Sequence, residues 1–284
     1  MSTFSNLRTM LAAFIIVMVV VSIFLFNQGR GAETGHASGT TTVTTATTST
    51  STTMTGTTVP PIANSTETFS RNWAGYAVST SFSSPETGSM NEAEGAWTVP
   101  AADCANTTGE YSSSFWVGID GYSSQSVEQI GTDSDCFRGS PSYYAWYEMY
   151  PDNGFSLSMR IMPGDVINAK VEHIGNNVFR LTITDVTTGS TFSTIETGAS
   201  ALRNSAEWIA EAPTLNNRIL PLSQFGPVMF TDCYVTVKGV KGAIGDSRWE
   251  NRALILDSRA GVIKAVPSGL VGNGTGFTVT WEHS

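Results

Sequence analysis

From Phe155 to Asp185 apolar and polar side chains alternate with a period of two, and no other feature of the chain narrows its fold so far. In "FSLSMRIMPGD" Phe155, Leu157, Met159 and Ile161 fall on one face; in "INAKVEH" Ile167, Ala169 and Val171 oppose Asn168, Lys170 and Glu172. That period belongs to a strand with one face in a core and the other in water, whereas a helix needs 3.6. "GNN" at 175–177 turns the chain into "VFRLTITD", where Phe179, Leu181 and Ile183 alternate again, and "TTG" at 187–189 turns it once more. Consecutive hairpins build antiparallel sheet. "GFTVTWE" repeats the pattern with Phe277, Val279 and Trp281, and no long helical period interrupts it. The expected fold is all-β, a sandwich of antiparallel sheets with aromatic-rich faces.

The N-terminal quarter has a different character. Residues 10–26, "MLAAFIIVMVVVSIFLF", carry no charge, with Arg8 before them and Arg30 after. The run reads as an uncleaved membrane anchor, with a secretory signal as the alternative. Between residues 40 and 58, 15 of 19 positions are Ser or Thr, a composition that cannot bury a core and reads as an extended stalk. The expected organisation is a short segment 1–9, the anchor or signal 10–26, a Ser/Thr-rich linker 27–66, and one folded domain 67–284. That domain is expected outside the cell, secreted or tethered to the membrane's outer face.

Charge limits the partners. The chain holds 15 Lys and Arg against 24 Asp and Glu, a formal net charge of −9, so nucleic acid is not an expected partner. Charged residues make up only 14% of the chain, against about 25% in an average soluble domain. When acid neutralises the carboxylates, few cations remain to repel one another, so the composition suits an acidic compartment. Three cysteines allow at most one internal bridge; Cys104 with Cys136 is the expected pair because both flank the same strand region. No metal and no cofactor are expected, because CxxC, HExxH and clustered histidines are all missing from the sequence.

Elimination narrows the chemistry further. The folded part has two histidines, His173 inside an alternating strand and His283 next to the last residue, and no G-x-S-x-G elbow. Carboxylates and amides remain. "NSAEWIAEAP" at 204–213 sets Glu207 and Glu211 four residues apart. A helix there would put like charges at i,i+4 and run into Pro213, so a strand is expected, with both acids on one face. On this stretch alone, a solvated edge strand is the simplest account.

Four other segments accompany it: "RNWAGYAV" at 71–78, "SFWVGIDGY" at 114–122, "VEQIGTD" at 127–133 and "YYAWYEMYP" at 143–151. Singly each is ordinary, its tryptophans core aromatics and its acids turn or surface residues. As an ordered series they resemble the glutamic peptidases, or eqolisins, acid-acting endopeptidases; the resemblance runs from Asn72 to about Val237. It implies a sandwich of two curved antiparallel sheets, concanavalin-like or jelly-roll-like, with the site on a concave face. It also implies a catalytic pair, Gln129 and Glu211, and residues lining or buttressing the cleft: Trp73, Trp116, Asp120, Glu148 and Tyr150. The chain departs from that pattern at Tyr144, where relatives often carry a small acidic residue before "AWYE", and in the placement of its cysteines.

The implied chemistry is coherent. Glu211 would take a proton from a water attacking a peptide carbonyl and pass it to the leaving nitrogen, while the Gln129 carboxamide, which does not titrate, would donate to the developing oxyanion. Glu207 would tune Glu211 or serve a structural role. Polypeptides are the expected substrates, and a monomer the expected state. The alternative is a surface sandwich that binds or hydrolyses carbohydrate, with tryptophans stacking sugars and Glu148 and Glu211 as the acid pair.

Overall fold

The computed structural model describes residues 66–284, and nearly all of its regular secondary structure is strand. The charge-free run at 10–26 and the Ser/Thr tract lie outside the described residues. Thr66, assigned to the linker from sequence, already belongs to the first strand.

Hydrogen bonding links the strands into two runs. One proceeds through Thr66–Ser70, Glu250–Asp257, Trp73–Ser79, Ala206–Glu211, Ser114–Ile119, Val127–Phe137, Ser140–Tyr150 and Phe155–Arg160. The other proceeds through Ile263–Pro267, Phe277–Trp281, Val228–Val237, Met90–Thr98, Val166–Gly175, Val178–Asp185 and Ser190–Thr197. They join at one end, where Leu256 pairs with Ala265. Every pairing is antiparallel except the first: Thr66–Ser70 runs parallel to Glu250–Asp257. A hairpin cannot make a parallel pair, and these two strands are separated by most of the domain.

The two runs pack face to face. Trp97 Nε1 donates to Thr132 Oγ1 at 3.0 Å and Trp208 Nε1 donates to the Glu94 carbonyl at 2.8 Å, each bond crossing between the layers. Trp97, Trp208, Tyr76, Phe115, Phe179, Phe230 and Phe277 are fully buried. Each such side chain contributes about 1.5–3 kcal/mol relative to leaving it in water, so this interior supplies most of the cohesion. Val178–Asp185 has the expected alternation of buried and half-buried residues, while Ser114–Ile119 is buried at every position. The inward parity of the first run, Tyr76, Phe115, Val117, Ile130 and Trp208, belongs to the main core. Its outward parity forms a second, smaller cluster of Ala77, Trp116, Val127, Ile209 and Leu254, with Trp73, Phe82, Tyr122 and Trp146 packed over it.

Cys104 and Cys136 are joined as expected, and Cys233 is a buried free thiol. The turns at 175–177 and 187–189 fall where the sequence places them. Phe155 does not follow its strand's inward face: it opens an edge strand and is 56% exposed.

Candidate active site

The outward face of the first run brings together residues that lie far apart in the sequence. Reading straight across the strands, Glu207, Gly118, Gln129 and Glu148 form one row, Ile209, Trp116, Gly131 and Trp146 the next, and Glu211, Ser114, Asp133 and Tyr144 a third. Gln129 and Glu211 therefore stand on a diagonal with Trp116 between them. The indole spans it. Trp116 Nε1 donates to Glu211 Oε2 at 2.8 Å, while a Cβ added to Gly118 would lie 3.0 Å from Trp116 Cζ3 and 3.2 Å from Gln129 Cβ. A Cβ at Gly131 would fall 2.6 Å from the Trp116 Cβ. Glycine at 118 and 131 thus leaves room for a large ring to lie across its neighbouring strand.

Glu211 is half-buried and well provided with donors. Asn72 Nδ2 donates to its Oε1 at 2.8 Å, opposite the indole bond on Oε2, and Trp73, its register partner, packs edge-to-face on Trp116 with centroids 5.1 Å apart. Burial pushes the Glu211 carboxyl up to about 7; hydrogen bonds from Trp116 and Asn72 pull it down, and the nearby Glu148 carboxyl adds to the rise. A carboxyl poised there can both take and return a proton.

Gln129 is 6% exposed. Its Nε2 donates to Glu148 Oε2 at 2.5 Å, and its buried Oε1 has no partner among the described residues. The bond fixes the amide plane and leaves the second N–H for another acceptor. Burial raises Glu148 above its usual range, with the Gln129 bond acting against the rise. Tyr150 shares this face and is 48% exposed.

Two buried acids lie behind the cleft. Asp120 is fully buried at positive φ, and its carboxylate accepts the backbone N–H groups of Leu202, Arg203 and Asn204 at 2.7–3.0 Å, tying down the loop that leads into the Glu211 strand. Its neighbour Glu128 points into the interior; burial, then the Asp120 charge, pushes its carboxyl up to about 9. Burial and the neighbouring Asp120 charge thus favour the neutral form of Glu128 through neutral pH. Glu207 does share a face with Glu211, but it is not solvated: it is 0% exposed, without a hydrogen-bond partner among the described residues, and burial holds it well above the carboxylate range. The Tyr122 loop covers that end of the face, which sequence alternation could not reveal.

Asn72, Gly118, Gly131 and Asp133 join the site without having been singled out by the sequence. All four sit inside the quoted segments, so proximity to Trp73, Trp116 and Gln129 was the available signal.

A sequence profile of the Peptidase A4 family matches residues 71–256. The chain is 34% identical over 135 residues to aspergillopepsin-2 of Aspergillus niger, covering 46% of this chain and 48% of that protein. It is 34% identical over 145 residues to scytalidopepsin B of Scytalidium lignicola, covering 47% of this chain and 55% of that protein. The alignments thus span about half the length of these curated relatives. Among solved structures, scytalido-glutamic peptidase crystallised with a transition state analog inhibitor superposes with a TM-score of 0.62 at 27% identity, over 75% of this chain and 98% of that one. Aspergilloglutamic peptidase from Aspergillus niger superposes with a TM-score of 0.55 at 30% identity, over 61% and 99% respectively.

Proposed function

Because this chain belongs to the Peptidase A4 family, we propose that its outward tryptophan-lined face hydrolyses polypeptides on the acidic side of neutrality, with Glu211 and Gln129 as the catalytic pair. The observation that carries the reading is the Trp116 indole, which holds Glu211 at one end and at the other lies over Gly118, the register partner of Gln129.

In this reading ionised Glu211 takes a proton from water as the water attacks the scissile carbonyl, and then delivers that proton to the departing amine nitrogen. No covalent intermediate forms. The carbonyl oxygen becomes an oxyanion, and the Gln129 N–H not engaged by Glu148 donates to it. Glu148 keeps that amide turned the right way. Trp73, Trp116 and Tyr150 bound the substrate chain, and Asp120 buttresses the Glu211 strand from behind. The two layers form the curved sandwich that the family resemblance implies, working as a monomer outside the cell, with residues 67–284 as the peptidase domain.

The test is digestion of a denatured protein at several acidic pH values with the products mapped. New amino termini are expected from the wild type. Glu211→Gln keeps the side chain's size and removes proton exchange, so cleavage should fall by about a thousandfold or more with melting temperature retained, and Gln129→Ala should cost about 10²–10³-fold. Release of reducing sugar from a polysaccharide, with no peptide cleavage, would overturn the reading in favour of a glycosidase. Near-normal cleavage by folded Glu211→Gln would remove Glu211 from the chemistry.

A further inference from the structure

The Tyr144 hydroxyl lies 2.8 Å from Asp133 Oδ2 and 3.1 Å from Asp135 Oδ2. A phenol has one proton and can donate to only one of them. The other contact is a hydrogen bond only if that carboxyl is itself protonated and donates to the phenolic oxygen. The donors around each carboxyl decide which. Asp135, half-buried, accepts from Ser112 Oγ at 2.5 Å and from the Ser113 N–H at 3.4 Å, a setting that favours its anion. Asp133 is 5% exposed and accepts from Trp146 Nε1 at 2.5 Å, with a further bond from Ser114.

We propose that Asp133, Tyr144 and Asp135 share one buried proton in a directed chain, Asp133 O–H to the Tyr144 oxygen and Tyr144 O–H to Asp135, and that this chain positions Trp146 as a wall of the cleft. Tyr144 and Asp133 are positioning residues. Burial raises Asp133 well above its usual range, the Asp135 charge adds to the rise, and Asp135 is itself raised by burial; both directions agree with a retained proton. The groups facing the chain are few. Glu110, on the strand paired with Asp135's end, adds negative charge; Ser112, Ser113 and Ser114 donate; Glu211 stands beyond Ser114 in the same row. Arg160, opposite Tyr144 in register, is exposed and makes no ion pair among the described residues. No cation among the described residues therefore neutralises the pair, so a proton must.

The phenol bridges the singly protonated pair and does nothing comparable for the fully ionised one. Removing its hydroxyl should therefore release the last proton at lower pH. Asp133→Asn should preserve the geometry instead, because its amide N–H donates to the phenol, its oxygen still accepts from Trp146, and it has no proton to lose.

The experiment uses protein labelled with carboxyl-¹³C aspartate and with 5-fluorotryptophan, the Trp146 line being assigned with Trp146→Phe. The wild type is expected to retain a proton-bearing Asp signal at pH 6. In Asp133→Asn that signal disappears while the Trp146 ¹⁹F line stays sharp and unmoved. In Tyr144→Phe the signal titrates at least one pH unit lower, and the Trp146 line shifts or broadens. An Asp133→Asn protein that keeps every proton-bearing Asp signal overturns the proposal, and so does a Tyr144→Phe protein with an unchanged midpoint and Trp146 line. Should Tyr144→Phe not fold, Asp133→Asn decides alone. The effect on catalysis rests on the peptidase reading: the alkaline limb of kcat/KM should move to acid in Tyr144→Phe with KM rising more than kcat falls. If the wild type cleaves no protein, that reading fails while the two spectra still decide the proton chain.

Discussion

Glu211 is one carboxyl among many, and its distinction lies in the two donors brought to it, Trp116 from the neighbouring strand and Asn72 from the turn before Trp73–Ser79. Trp116 and Asn72 stabilise the charged form, so removing either should raise the carboxyl further above about 7. We expect Trp116→Phe to move the ionisation limb of kcat/KM upward by about 0.5–1 in pH and to lower the rate at every acidic pH, because a smaller fraction of Glu211 is then ionised. A pH–rate profile compared with the wild type checks both sign and size; a downward displacement would mean that the indole bond does not act on Glu211. Glu207 makes the contrast. Burial without a hydrogen-bond partner favours its neutral form, so Glu207→Gln should leave the limb in place and change kcat/KM by less than about threefold. A displaced limb would show that Glu207 carries charge at working pH. The sequence made both glutamates visible but could not separate them, because alternation assigns a face and says nothing of what covers it.

Strands differ in how openly they declare themselves. Val178–Asp185 has one face in the core and one toward water, so its sequence alternates and its boundaries could be read directly. Ser114–Ile119 and Ala206–Glu211 are covered on both faces, by the opposite layer on one side and the tryptophan cluster on the other, so alternation fades where the chemistry is densest. There the ordered motifs, rather than periodicity, made the site legible. The parallel pairing of Thr66–Ser70 with Glu250–Asp257 was not legible at all, since it depends on contacts between opposite ends of the domain. Gly131 belongs to this scale too, because its missing side chain lets two strands and an indole approach closely. A Cβ there would sit 2.4 Å from the Phe115 carbonyl oxygen, which is backbone and cannot step aside. Gly131→Ala should therefore destabilise the domain by about 1–3 kcal/mol and depress cleavage more than its lowered melting temperature accounts for, as Trp116 is pushed from Glu211. Denaturant melts alongside initial rates test this. Stability within about 0.5 kcal/mol of wild type would mean that the strand relaxes freely and that the glycine has no such role.

Across the described residues, seven carboxyls are held above their ordinary values, Asp120, Glu128, Asp133, Asp135, Glu148, Glu207 and Glu211, against one, Asp246, held below. For a carboxyl raised in the fold, the native state binds more protons than the unfolded chain between the unfolded and folded values. Its contribution is therefore full in acid and is lost as pH rises through that window. For Glu128 the window runs from an ordinary 4.5 to about 9, so the loss is spread across the whole neutral range. The melting temperature should accordingly be highest in acid and decline from about pH 5 through neutrality. Acid-tolerant stability, read from composition as an effect of low charge, thus gains a more specific cause in buried carboxyls that stay protonated. On the proposed mechanism catalysis pulls the other way, because Glu211 with a value of about 7 is only about 1% ionised at pH 5 and its ionised fraction grows as pH rises. Activity should then peak on the acid side of 7, where rising ionisation of Glu211 meets falling stability of the fold. Calorimetry from about pH 3 to 8, overlaid on initial rates measured before any loss of fold, tests the pair of slopes together. A melting temperature that rises between about pH 5 and 8 would contradict the proton-retaining interior, and initial rates that climb as pH falls from about 6 to 3 would mean that Glu211 works with a much lower value once substrate fills the cleft.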